Sequence, residues 1–327
     1  MADADYTFAV PAKLLPLPEV FRVASPSPRG PPSSRSVRFR RSPSLGAWGQ
    51  CLIFPFCLLA PAAILADLPL TIEDLIADKG TVRLNLALNY ANSERDGLSL
   101  VPTGSKSYIS VPTKNNSDIL IGSLSLGYGL MRDTEIYGRG SYLYSNARTN
   151  HLDKISTAED NRFLAAWVGV NYQFKKDGAT PALLGFAEAA ALEEHQGTSH
   201  SFKSWMVGFT TYRAIDPVVL SLTSGYRFNL TREIGNQDYR PGNYLFLNPA
   251  VDFAVNDRVT FTTGMQWVVH KADRYDGNAQ GFRRTSTDLK LGVGYGVSKD
   301  DIAQATFTMN ASGNGGSSLQ LNWRHTF

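Results

Sequence analysis

Five histidines and two cysteines are the side chains of this 327-residue chain best suited to covalent or metal chemistry. A nucleophilic hydroxyl needs a histidine within hydrogen-bond reach and a third group to orient the ring. His151, His195, His200 and His270 fall in or beside polar connecting stretches, and His325 stands two residues from the last position. None lies mid-segment beside a serine and an amide in a recognisable order, so no catalytic residue and no enzymatic activity is expected. Glu193, Glu194, His195 and His200 are of the right types to grip a metal, but a solvated connection is the simpler account, and no metal site is assigned. Cys51 and Cys57 both precede residue 67, inside an apolar stretch. After it there is no thiol for a disulfide or a metal, and no cofactor is implied. Gly313-Asn-Gly-Gly316 follows no buried parallel strand and opens no helix, so it reads as a hairpin turn rather than a phosphate loop.

The chemistry that remains is electrostatic. Arg83, Glu135, Arg139, Arg227, Asp252, Arg258, Asp288, Lys290 and Arg324 recur at alternate positions of apolar segments. Side chains at alternate positions of an extended chain share one face, so these charges line one side of a sheet. Val82, Leu84, Leu86, Leu88 and Tyr90 oppose Arg83, Asn85, Ala87 and Asn89; Leu289, Leu291, Val293 and Tyr295 oppose Asp288, Lys290, Gly292 and Gly294. The pattern repeats from residue 81 to the end in about twelve segments, an even number, as single-chain bacterial barrels require. The Ala-rich segment 183–192 is the ambiguous one, with Glu188 placed inward.

The connections alternate in length too. Those at 131–133, 176–181, 216–217, 256–257 and 298–300 are short and turn-like, while 94–117, 146–159, 193–201, 231–243 and 270–284 are longer and polar. Short turns at one rim and long loops at the other are the two ends of a transmembrane barrel. A soluble sandwich would need polar outward faces and a dry core, yet the apolar face persists throughout and often ends in Tyr, Trp or Phe. Nine charges in a dry core would each cost several kcal/mol unpaired; a wet or ion-paired lumen accommodates them. The expected fold is an all-β, antiparallel, up-and-down transmembrane β-barrel over residues 81–327, embedded in outer-membrane lipid.

What precedes the barrel has a different composition. Residues 1–66 carry seven of the Lys/Arg and three of the Asp/Glu, a balance of 7 − 3 = +4 against +3 for the whole chain, which leaves −1 for the remainder. No basic surface for nucleic acid survives there. Arg35, Arg38, Arg40 and Arg41, the apolar run 52–59 and small residues up to Ala66 follow the order of a secretion signal behind a disordered leader. Residues 67–80 do not alternate. Thr71 stands before Glu73 and Asp74 as a helix N-cap would, Ile72, Leu75 and Ile76 share a face, and Gly80 is a stop. The spacing predicts a short amphipathic helix, either a periplasmic stub or a plug carried by Ile72, Glu73, Asp74, Leu75 and Asp78.

Residues 69–327 resemble the outer-membrane transporters that include the meta-pathway phenol-degradation barrels and the secretion channel of functional amyloids. The resemblance rests on Leu-Thr-Ile-Glu-Asp-Leu-Ile-Ala-Asp-Lys-Gly (70–80) with 88–95, on Thr-Glu-Ile-Tyr-Gly-Arg (134–139), on 210–221, 248–259 and 283–289, and on Phe327. It implies a twelve-stranded pore with a helical plug. The amyloid channel also carries a long trimerising coiled coil, where this chain has only Asp67, Leu68 and Pro69. The expected function is therefore a bacterial outer-membrane channel for an unidentified solute or polypeptide, gated by 67–80, with a mild anion preference set by the lumen charges. The alternatives are amyloid-subunit export and, in another class, a closed structural adhesin. Phe327 on an alternating last segment has the form of the tag read by the barrel-assembly machinery.

Overall fold

The computed structural model describes residues 75–327 except 105, 106, 152, 153, 196 and 313–315. The expected leader and signal of 1–66, and Ile72, Glu73 and Asp74, lie outside the described residues. Twelve long strands follow one another: β1 (Val82–Gly104), β2 (Ser107–Met131), β3 (Thr134–His151), β4 (Lys154–Lys175), β5 (Ala182–His195), β6 (Ser204–Ile215), β7 (Val218–Asn229), β8 (Tyr244–Asn256), β9 (Val259–His270), β10 (Arg284–Gly296), β11 (Asp301–Asn310) and β12 (Ser317–Thr326). Each pairs antiparallel with the next, and β12 returns to β1 from Arg83↔Thr326 to Asn92↔Ser317. The sheet is a closed barrel, so every strand of the wall has a partner on both sides.

The strands form because their side chains satisfy two surroundings at once. Leu86, Leu124, Val168, Phe209, Leu291 and Leu321 stand exposed on the outer phase, while Arg83, Glu135, Glu188 and Asp252 are buried on the inner one. Tyr90, Tyr142, Tyr172, Trp205, Tyr295 and Trp323 are exposed on the outer face toward its ends, where rings bridge hydrocarbon and water. The short rim is made by compact turns. In one of them the Asn256 side chain accepts from the backbone N–H groups of Arg258 and Val259, at 2.9 and 2.8 Å, a local substitute for ladder bonds.

Two expectations are corrected. The stretches 94–117 and 146–159 are not loops: β1 to β4 run on through them as paired strands, β1–β2 as far as Gly104↔Ser107 and β3–β4 as far as His151↔Lys154. Beyond Asn92, the last residue of β1 paired with β12, β1 continues to Gly104, about 40 Å of chain at roughly 3.3 Å per residue. Alternation of polarity reports what each face touches and not whether the backbone is paired. Above the apolar band polar residues occupy much of both faces, with Leu98, Ile109 and Ile155 exposed among them, so the signal fades while the ladder goes on. Parts of the other long connections are ordered as well. Arg232–Ile234, Gln237–Arg240, Asp273–Tyr275 and Asn278–Gln280 form a separate four-stranded sheet, and Thr198–His200 extends β5 as a hairpin.

The second concerns the helix expected over 67–80, which is not confirmed: 67–74 lie outside the described residues, and the correction applies to 75–80. Its described part, 75–80, consists of bends and a turn ending at Gly80, whose φ is +88°. Backbone groups that a helix would use are committed to the barrel instead. The Ala77 N–H donates to Glu135 Oε2 at 2.6 Å, and Arg83 donates to the Leu75 carbonyl at 3.4 Å.

Candidate functional site

The inner phase of the strands defines the candidate site. On β3 and β1, Glu135 receives both Ala77 N–H and Arg83 Nη1, the latter at 3.1 Å, with Arg83 and Glu135 both buried. One level along β3, Arg139 pairs with Glu188 of β5 at 3.3 Å, and the Tyr137 hydroxyl donates to the same carboxylate at 3.1 Å. Further along, the Arg227 guanidinium of β7 lies 4.8 Å from the Trp167 ring centroid and 5.9 Å from that of Tyr244. Its Nη2 reaches Glu193 at 3.4 Å and the Ser204 hydroxyl at 3.1 Å, and its Nε donates to Asn229 at 3.1 Å. Hydrogen-bonded pairs of charges in a confined space are strongest when every donor finds an acceptor; these three arginines each have a carboxylate, while Nε and Nη2 of Arg83 are buried without a hydrogen-bond partner.

The remaining sequence-derived residues fall as follows. Asp252 accepts from the Thr262 hydroxyl at 2.6 Å, and Asp288 from the Asn310 amide at 2.6 Å. Lys290 lies level with Gly264 and Thr308 on the inner phase, and Arg324 level with Asn85 and Ile302. Arg258 is not on a strand. It occupies the exposed turn between β8 and β9, because Asn256 closes the chain there, and so it leaves the set of inward charges. Glu193, Arg232 and Arg284 join that set, and the uncharged Ser204 stands among them, although sequence reading did not single them out as lumen residues. Glu193, Arg232 and Arg284 sit in stretches read as loops, where period-two facing carries no information.

The segment ahead of β1 enters the same space. Leu75 and Ile76 pack against Ala182, Leu184, Tyr212 and Val219, inner-phase residues of β5, β6 and β7 near the short rim. Two residues on, Ala77 is bound to β3, and the Asp78 carbonyl lies against Gly129 of β2 so closely that any Cβ at 129 would overlap it. The segment thus touches both the β5–β7 wall and the β2–β3 wall of the lumen. Asp78 accepts from the Thr81 hydroxyl at 2.7 Å through its carbonyl and caps the turn into β1.

Aromatic rings cover glycines on the inner wall. A Cβ at Gly169 would meet Tyr137, one at Gly208 would meet Phe186, and one at Gly225 would meet Phe246. Glycine is needed there because a ring from the next strand occupies the volume of its side chain. With Trp167 and Tyr212 these rings make the β3–β8 side of the lumen bulky, whereas the β11–β1 side carries Gln304, Gln320, Asn322, Asn85 and Asn89.

The sequence matches no family model and no curated protein. Among solved structures, the crystal structure of the COG4313 outer membrane channel from Pseudomonas putida F1 aligns over 77% of this chain and 97% of its own, with a TM-score of 0.56 and 12% identity. The transport unit of the autotransporter AIDA-I from Escherichia coli aligns over 78% and 93% with a TM-score of 0.47 and 12% identity, and a Pseudomonas aeruginosa FadL homologue over 76% and 90% with 0.41 and 10%. At 12% identity the first likeness is one of fold: the barrel is built as that outer-membrane channel is built.

Proposed function

We propose that the chain is a passive channel of the bacterial outer membrane, passing a small solute through a polar lumen and restrained by the segment that precedes β1. One observation carries the reading: a closed barrel is apolar outside and bears ion-paired arginines, amides and hydroxyls inside. A wall of that polarity holds hydrogen-bonding solutes and ions where hydrocarbon would not. Twelve strands lie between eight-stranded barrels, filled by their own side chains, and the open porins. A short segment held against two walls is then enough to narrow the path. A small solute is favoured over a polypeptide cargo because the rings of the β3–β8 side reduce the free width.

The test is single-channel recording of the purified barrel in planar bilayers. Deleting 67–79 should raise the mean conductance severalfold and remove flickering. Equal currents before and after deletion would make the segment a stub without gating function. Absence of pores from both proteins would reject the channel.

A further inference from the structure

The long rim carries a structure that the channel reading does not use. The connection between β7 and β8 and that between β9 and β10 are joined into the four-stranded sheet of Arg232–Ile234, Gln237–Arg240, Asp273–Tyr275 and Asn278–Gln280. This sheet is fastened to the lumen wall. Arg232 is 4% exposed and donates to Ser204 Oγ at 3.2 Å while its Nη2 lies 3.0 Å from Glu193 Oε1. Glu193 and Ser204, themselves buried, are the inner-phase groups that also hold Arg227 of the wall. Tyr239 is buried and stacks on His195 of β5, with ring centroids 4.7 Å apart and 13° between planes. Two further ties to β7 complete the seat: Arg240 Nε donates to the Asn229 carbonyl at 2.9 Å, and Asn229 Nδ2 donates to the Gly242 carbonyl at 2.9 Å.

We infer that this sheet is a second, outer closure of the pore: a lid latched to the lumen wall through Glu193, the carboxylate shared by Arg232 of the lid and Arg227 of the wall. A loop that merely capped a hairpin would place its cation in solvent, where exposed ion pairs contribute little. Here a guanidinium from outside the barrel is withdrawn among inner-phase groups and hydrogen-bonded there. Removing its carboxylate leaves it buried with no counter-ion, so the latched state is the one penalised. The lid and the segment of 75–80 lie at opposite rims, and each narrows the path independently of the other.

Trypsin reads the latch directly, whether or not the barrel conducts, because cleavage after Arg232 requires that side chain to leave its seat and follows the population of the open form. Glu193→Gln should speed cleavage of the Arg232–Glu233 bond at least about tenfold, the ratio equivalent to about 1.4 kcal/mol. Tyr239→Ala, which alters the lid alone, should speed it too, and heat-modifiable migration in gels certifies the barrel of each variant. If Glu193→Gln does not give a folded barrel, Tyr239→Ala decides. Cleavage of the unaltered protein as fast as that of the variants would overturn the lid. In bilayers, Glu193→Gln combined with deletion of 67–79 should conduct more than the deletion alone; equal currents would show that the sheet does not obstruct the pore and would overturn the inference as well.

Discussion

Glu193 and Glu135 do the same work at opposite rims: each is a buried carboxylate that ties a segment from outside the barrel to an arginine of the lumen. His200 faces Glu193 across the short hairpin that prolongs β5. Burial holds its pKa below the usual histidine range, and the Arg232 and Lys203 charges push the same way against a smaller opposing pull from Glu193. A histidine with a depressed pKa is seated neutral, so the open lid binds the proton more readily than the closed one. Lid stability is therefore fully present above the usual histidine value, falls as pH drops through it, and levels off below the depressed value. Hydrogen exchange of 232–240, corrected for its intrinsic pH dependence, should show opening that increases between neutral pH and about pH 5, and His200→Gln should flatten the profile. A profile unchanged by that substitution would remove His200 from the latch.

Among the elements, the barrel strands were legible because each meets lipid on one side and a polar lumen on the other, which writes a period of two into residues such as Leu84, Leu86 and Leu88 against Arg83, Asn85 and Ala87. The same cause hid the upper halves of β1 to β4, where polar residues occupy much of both faces. The Leu75–Gly80 stretch misled for another reason: its apolar positions fit a helix face, but they are used one by one against the β5–β7 wall. Of the site, Arg83 and Arg227 could be placed by alternation, whereas their carboxylate partners depend on strand register, which no local pattern specifies. The closing strand offers its own test. Phe327 N–H donates to the Val82 carbonyl at 2.8 Å and its ring meets His325 edge-on at 4.3 Å, just past β12. If Phe327 serves as the assembly tag, Phe327→Ser should lower the heat-modifiable barrel in the outer membrane while leaving signal cleavage unchanged. Undiminished barrel in the membrane fraction would reject that role.

For the whole molecule, selectivity follows from the sum of inward charges rather than from any single ring. Among the described residues, the inner phase of the barrel wall carries Arg83, Arg139, Arg162, Arg227, Arg284, Lys290 and Arg324 against Glu135, Asp160, Glu188, Glu193, Asp252 and Asp288. With Arg258 in a turn, and with Glu188, already placed inward from the sequence, counted beside Glu193, the two signs come nearly level. Because the three pairs Arg83–Glu135, Arg139–Glu188 and Arg227–Glu193 cancel locally, the field along the path is weak, and the open pore should prefer anions only slightly. Arg139 is the exception worth perturbing, since its side chain is 40% exposed to the lumen while Glu188 is 3% exposed behind it. Glu188→Gln should therefore release a full positive charge into the path without changing its width. In a salt gradient across a planar bilayer, the reversal potential of the protein lacking 67–79 should shift further toward the anion value on that substitution, with conductance within about twofold. High salt should erase the difference as screening shortens the reach of the charge. A reversal potential unmoved by Glu188→Gln would mean that permeating ions do not pass Arg139, and that the conducting path lies along the amide-rich β11–β1 wall instead.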